Sequence, residues 1–216
     1  MDNVIIKMKN VSKSYKNITV VKDLSLDFIK GKSYGIKGYN GSGKSVILKL
    51  IVGFAFADSG EIIVNEKVLK KDVDFIENAG VFINSPEFIN SLSGLDNLLY
   101  LSEIKGKITK EEIEDVLKVV DIYAARLKKV STYSQGMKQR LRLAQAIMES
   151  PDILILDEPM NALDRDGVEL VKRILKKHIE EGKTLIFTSH NLDDFTDLAD
   201  EVYEIEKGAV SKVSIS

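Results

Sequence analysis

The chain has 216 residues, 44% of them hydrophobic, enough to bury a full core within one domain. Its 31 Lys and Arg against 33 Asp and Glu leave a net charge of -2, so no basic field points to nucleic acid. Cysteine is absent, which excludes disulfides and thiolate metal sites and fits a reducing compartment.

The first residues, MDNVIIKMKN, lack the long apolar segment of a secretory signal. The longest apolar stretch, 46–57, is interrupted by Lys49 and falls short of the roughly 18 to 20 residues that cross a bilayer. The expectation is a cytoplasmic protein whose membrane contact comes through a partner.

β-rich runs at 4–8, 20–28, 33–36 and 61–64, separated by Gly, Asn and Lys turns, predict strands. Apolar residues spaced by three and four then predict helices over 46–54, 96–104, 110–120 and 136–149. Beyond Pro151 a buried strand at 153–156, a helix from about 167 to 180 and a strand at 184–188 imply a parallel crossover. A hairpin, 201–206 with 209–213, closes around Lys207-Gly208. The predicted class is α/β, with a mostly parallel core sheet, an N-terminal antiparallel β subdomain and an inserted helical subdomain. The core lobe is expected at about 1–84 and 151–216, and the helical lobe at 85–150, with no internal repeat.

Four segments carry chemistry. Gly38-Tyr-Asn40-Gly41-Ser42-Gly43-Lys44-Ser45 follows a predicted strand and opens an apolar helix at Val46, the context a phosphate-binding G-x-x-x-x-G-K-[ST] loop requires. Its glycines let backbone N–H groups point at phosphates, and the positive end of the helix dipole lies behind them. Lys44 is expected to bridge the β- and γ-phosphates of ATP, and Ser45 to place its hydroxyl on Mg²⁺. The strand 153–156 ends in Asp157 and Glu158, on the edge where parallel sheets place ligands. Asp157 suits the Mg²⁺ shell, and Glu158 suits the proton of an attacking water. His190 ends the next strand on the same edge, a position for sensing phosphate. His178, in the charged run 176–181, reads as solvated. Ser134 and Gly136 open a helix whose N-terminus should bind an anion, although a serine N-cap is by itself ordinary.

In this order, over nearly the whole chain, these segments resemble the ATP-binding cassette family. The resemblance implies that Tyr15 lies against the adenine ring and that 38–45 is the Walker A loop, with Val46 beside it. It sets Asn84 at the Q-loop position, near Mg²⁺ or the attacking water. It makes Tyr133 to Met137 the signature, with Ser134, Gln135 and Gly136 on nucleotide. It makes Asp157 and Glu158 the end of Walker B, Asn161 to Asp164 the D-loop, and His190 the switch histidine. Four positions depart from the family pattern: Asn84 stands for glutamine, Gln135 for glycine, Met137 for glutamine and Val46 for threonine.

The wording around Asn84, Leu92 and Tyr133 looks most like drug and bacteriocin-peptide exporters of the bacitracin-resistance type. By that resemblance two subunits, identical or not, pack head to tail around two ATP molecules. They drive a separate integral-membrane permease from the inner face of the cell membrane. The permease is expected to dock on residues 86–101, at Phe88, Ile89, Leu92 and Leu95, side chains that could equally form the lobe's own core. A soluble ATPase of the same family, acting as a regulatory, nucleic-acid or ribosome-associated switch, is the alternative. Long coiled coils and doubled cassettes mark such members, and neither is present in this sequence.

Overall fold

The structure, a computed structural model, describes residues 3–84 and 87–214. Strands β1 (Val4–Tyr15), β2 (Ile18–Ile29), β4 (Ser59–Val64) and β5 (Lys67–Val68) form an antiparallel sheet in the order β2-β1-β4-β5. A second sheet has the order β10-β9-β3-β8-β7-β6. It comprises β3 (Ser33–Lys37), β6 (Ala79–Phe82), β7 (Ile153–Leu156), β8 (Thr184–Thr188), β9 (Glu201–Glu206) and β10 (Ala209–Val213). All of its pairs are parallel except the closing β9–β10 hairpin.

The helices are α1 (Lys44–Val52), α2 (Gly94–Ser102), α3 (Lys110–Val119), α4 (Gln135–Ile147), α5 (Arg165–Glu180) and α6 (Leu192–Leu198). In sequence, α2 to α4 are inserted between β6 and β7. Among the described residues no helix is long and apolar enough to cross a membrane.

Every residue of β7 and β8 is buried, because both faces of the parallel sheet are covered. Alternation then sorts their side chains. Ile153, Ile155 and Ile186 pack with α1 and the antiparallel sheet, whereas Leu154, Leu156, Leu185 and Phe187 pack with the helices on the other side. Helix α4 lies directly on β6: a Cβ on Gly80 would stand 1.9 Å from the Ala146 carbonyl oxygen.

The predicted strands at 153–156, 184–188, 201–206 and 209–213 have the observed bounds. Elsewhere the structure corrects them. β1 continues seven residues past Met8 because register shifts between Met8 and Lys13, with Asn10 at φ 48°, carry it through polar residues without ending the ladder. The helix expected over 46–54 stops at Val52, since Gly53 takes a left-handed φ of 85° and caps it. Strands β5 and β6 and helix α6 have no expected counterpart. β5 is two residues long, β6 contains Gly80, and α6 is a short acidic segment that buries only Asp194, Phe195 and Leu198.

His178 is buried, not solvated. Its Nε2 lies 3.1 Å from the Thr184 carbonyl oxygen, as an N–H donor would, because α5 turns this face of its charged C-terminal run toward β8. Leu95 is likewise core, at 3% exposure, and Phe88 packs against the same cluster; of the expected docking side chains Ile89 stands out at 47%. Pro86, where that stretch begins, lies outside the described residues.

Two outcomes follow for stability. A methyl at Gly80 must displace backbone, so Gly80→Ala should cost about 1–3 kcal/mol in denaturant unfolding, with no cost if α4 sits elsewhere. Burial holds the His178 pKa below its ordinary 6.5, with the charge of Lys183 adding to this and the Thr184 hydrogen bond opposing it. The unfolded chain therefore binds this proton first as pH falls, so the stability that neutral His178 contributes is full above 6.5 and is lost below it. Between about pH 7.5 and 5.5 the parent should lose more unfolding free energy than His178→Gln, which titrates its other groups alike; equal losses would clear His178 of this role.

Candidate functional site

The loop 38–43 leaves β3 and enters α1, which alone among the six helices described has no side-chain N-cap. Its cap residue, Gly43, sits at φ 109°, and a Cβ there would meet Val20 Cγ1 at 2.8 Å. At Gly38 the constraint is approach, since a Cβ would come within 2.5 Å of Ser42 Oγ. That Ser42 hydroxyl is buried and has no hydrogen-bond partner among the described residues. The α1 N–H groups and an unpaired hydroxyl thus share one turn, an arrangement suited to an anion.

Lys44 is 5% exposed, and its ammonium donates to the carbonyls of Gly38 at 2.8 Å and Tyr39 at 3.2 Å. Ser45 Oγ donates to Asp157 Oδ2 at 2.6 Å, bringing the loop to the end of β7. Parallel register pairs Leu156 with Phe187, so the residues just beyond, Asp157 and Thr188, also meet. The Thr188 hydroxyl donates to Asp157 Oδ1 at 2.8 Å and accepts from the Glu158 amide at 2.9 Å.

Glu158 takes a left-handed φ of 54°, unusual outside glycine, which turns its side chain away from the strand direction. Gln139 Nε2 donates to the carbonyls of Glu158 at 2.9 Å and Pro159 at 3.1 Å, holding that turn from α4. The Glu158 carboxylate faces three donors: His190 Nε2 at 2.6 Å, Lys44 Nζ at 4.0 Å and Asn161 Nδ2 at 3.4 Å. One cluster therefore joins Lys44, Ser45, Asp157, Glu158 and His190.

A cleft of about 520 Å³ opens beside it, lined by Asn84, Gln135, Gln139, Arg142, Asp157, Glu158, Asn161 and Ala162. Asn84 is exposed with φ 55°, and Gln135 begins α4. Ser134 is exposed and caps α4 by accepting from the Met137 amide at 3.2 Å; Gly136 faces the Ala162 carbonyl. Tyr15 ends β1 at 45% exposure, with the Lys13 ammonium 5.1 Å from its ring. Asn40 and Gly41 sit exposed at the loop's apex, and Val46 is half-buried in α1. Among the described residues no hydrogen bond joins Tyr15, Ser134 or Gly136 to the phosphate loop.

Sequence reasoning did not single out Thr188 or Gln139. Thr188 could be found only through the register of two strands, and Gln139 only once the inserted helix is folded back against the end of β7.

The profile of the family described as ABC transporter matches residues 21–161. An ABC transporter ATP-binding protein of Bacillus subtilis (strain 168), YybJ, itself uncharacterized, is 39% identical over 94% of this chain and 94% of its own. The bacitracin transport ATP-binding protein BcrA of Enterococcus faecalis is 36% identical over 98% of this chain and 70% of its own. The lantibiotic transport ATP-binding protein SrtF of Streptococcus pyogenes is 32% identical over 95% and 89%. Among solved structures, an ATP-binding cassette in a dimeric post-hydrolysis state bound to ADP and Pi superimposes with a TM-score of 0.85 at 23% identity. That match covers 97% of this chain and 99% of the other, a likeness of fold. With the profile match and these relatives in agreement, the chain belongs to the ABC transporter family and has the fold of its ATP-binding cassette.

Proposed function

We propose that this chain hydrolyses ATP as the motor subunit of an exporter for drug- or peptide-antibiotic-type cargo, working as a head-to-tail dimer beneath an integral-membrane permease. The observation that carries the reading is the convergence of Lys44, Ser45, Asp157, Glu158 and His190 at the loop between β3 and α1. The transport of bacitracin and lantibiotics by relatives such as BcrA and SrtF supports the cargo class.

The donor set fits Mg²⁺. Ser45 and Asp157 offer hard oxygens 2.6 Å apart, and no cluster of three or more His, Cys, Asp or Glu forms a cage among the described residues. Two protein oxygens leave the remaining positions to phosphate and water, as this ion prefers. Asn84, in the same cleft, is the third candidate, reaching the ion or the attacking water through a further water. When bound, the ion neutralises charge developing on the β- and γ-phosphates.

Lys44 donates to its own loop carbonyls, and phosphate oxygens are stronger partners for an ammonium. Ser42 Oγ and the α1 amides hold the same phosphates, and Tyr15 offers its exposed ring to the base. Glu158 then orients water and accepts its proton, while His190, whose Nε2 lies 2.6 Å from the Glu158 carboxylate, holds the γ-phosphate side. The exposed Ser134 and Gln135 and the half-buried Gly136 at the start of α4 supply a second anion site for the ATP of a partner copy. Closure follows because the γ-phosphate touches this surface only in the closed dimer. The core lobe at 1–84 and 151–216 carries the phosphate loop, and the helical lobe at 85–150 carries the signature and, around Ile89, the permease contact.

Glu158→Gln should retain ATP binding while turnover falls by roughly 10² to 10⁴, the range for losing a general base. Lys44→Ala should instead weaken binding, read by nucleotide titration. Undiminished hydrolysis in the Glu158 variant would reassign the base. Light scattering of Glu158→Gln should give a monomer alone and a dimer with Mg-ATP; a monomer with ATP bound would refute the shared site.

A further inference from the structure

We propose that Ser189, Asp194 and Lys172 form a buried relay that positions the His190 imidazole against Glu158, acting through the backbone of residues 189–191. The proposal rests on the reading of Glu158 and His190 as the hydrolytic pair.

The chain leaves β8 at Thr188 and enters α6 at Leu192, and hydrogen bonds tie both residues that flank His190. Thr188 is fixed by Asp157 and Glu158. Ser189 Oγ donates to Asp194 Oδ2 at 2.6 Å and accepts from the Asn191 amide at 3.0 Å. Asn191 Oδ1 in turn accepts from the Asp193 amide at 3.1 Å and caps α6. His190 is thereby held at both flanking residues, and its own side chain, half-exposed, reaches toward Glu158 at 2.6 Å.

The relay is anchored from a second element. Lys172, on α5 and 7% exposed, stands 3.0 Å from Asp194 Oδ1, an ion pair without an aligned hydrogen bond, and donates to Asp197 Oδ2 at 2.8 Å. Asp194 is 2% exposed. Burial disfavours the Lys172 ammonium, but the hydrogen bond to Asp197 and the negative charge of Asp194 beside it outweigh this and hold its pKa above the ordinary value. The ammonium therefore persists and fixes the Asp194 carboxylate, leaving Oδ2 aimed at Ser189.

A buried ion pair stabilises a fold no better than apolar residues of the same shape, so its distinctive contribution is direction. Here the direction passes from α5 through Asp194 and Ser189 to the one turn that presents His190. Ser189, Asp194 and Lys172 are positioning residues: Ser189 and Asp194 border a small cavity of about 180 Å³ beside Glu158 and His190, but none of the three lines the cleft that Glu158 shares with Asn84.

The test is Ser189→Ala in the full chain, which removes one hydroxyl and leaves the Lys172–Asp194 pair in place. Because the chain has 2 histidines, His178→Gln assigns both imidazole resonances. The expected result is a shifted or broadened His190 resonance with His178 unmoved, observed without nucleotide. In ATPase assays kcat should fall roughly tenfold with KM for ATP unchanged, as a misplaced catalytic side chain predicts. In a His190→Ala background the same substitution should add nothing. An unmoved His190 resonance overturns the proposal, as does a loss in kcat that multiplies with that of His190→Ala. Absence of hydrolysis in the parent would instead defeat the hydrolytic reading, leaving the resonance to decide the positioning.

Discussion

A single hydroxyl, that of Thr188, ties together the ends of two strands on which the site depends. By donating to Asp157 and accepting from the amide of Glu158, it fixes two adjacent residues whose tasks differ. Adjacent positions on a strand point to opposite faces, so a regular β7 could not bring both carboxylates to the phosphate loop. The strand ends at Leu156, and the left-handed backbone at Glu158 solves this geometry. Such a conformation costs free energy and persists only where its surroundings over-determine it. Thr188 holds it from below, and Gln139 holds its carbonyl from α4.

That second grip links the inserted helices to the chemistry. Helix α4 is capped by Ser134 and packs on β6 at Gly80, and from its second turn Gln139 reaches the Glu158 and Pro159 carbonyls. Any rotation of α4 relative to β7 therefore bears on the backbone of Glu158 before it bears on a side chain. The antiparallel sheet does the corresponding work on the other side. Val20 of β2 packs so close to Gly43 that no side chain fits at the base of the phosphate loop.

What was legible in the sequence follows the range of the forces involved. Strands β7 to β10 were readable to the residue because local apolar runs bounded by turns determine them. The meeting of the 38–45 loop with the paired carboxylates was readable because glycine, lysine and acid residues stand there at a fixed spacing that the β3–α1 turn and the end of β7 bring together. His178 was misread because its neighbours in sequence are charged, while burial depends on which face α5 turns to β8, a tertiary fact. The same limit hid α6, whose hydrophobic contribution is two residues, and Ser189, whose partner lies five residues on and whose anchor lies on another helix.

The four departures from the family pattern divide along physical lines. At Met137 the structure uses the backbone: its amide donates to Ser134 Oγ, and a methionine provides that N–H as well as a glutamine would. Gln135 is exposed at the first turn of α4, where an anion would meet backbone amides and not its side chain. Val46 packs with the apolar residues behind α1, so its exchange for threonine removes a hydroxyl while its methyls join the core. Asn84 is different in kind, because the family's residue there acts through its side chain, and shortening it by one methylene changes reach. Asn84 is exposed in the cleft with Glu158 and Asp157, so the shorter side chain leaves more of that space open. A change of residue that leaves backbone donors intact keeps the attraction of a helix N-terminus for an anion, whereas a shorter side chain changes what position 84 can reach in the cleft.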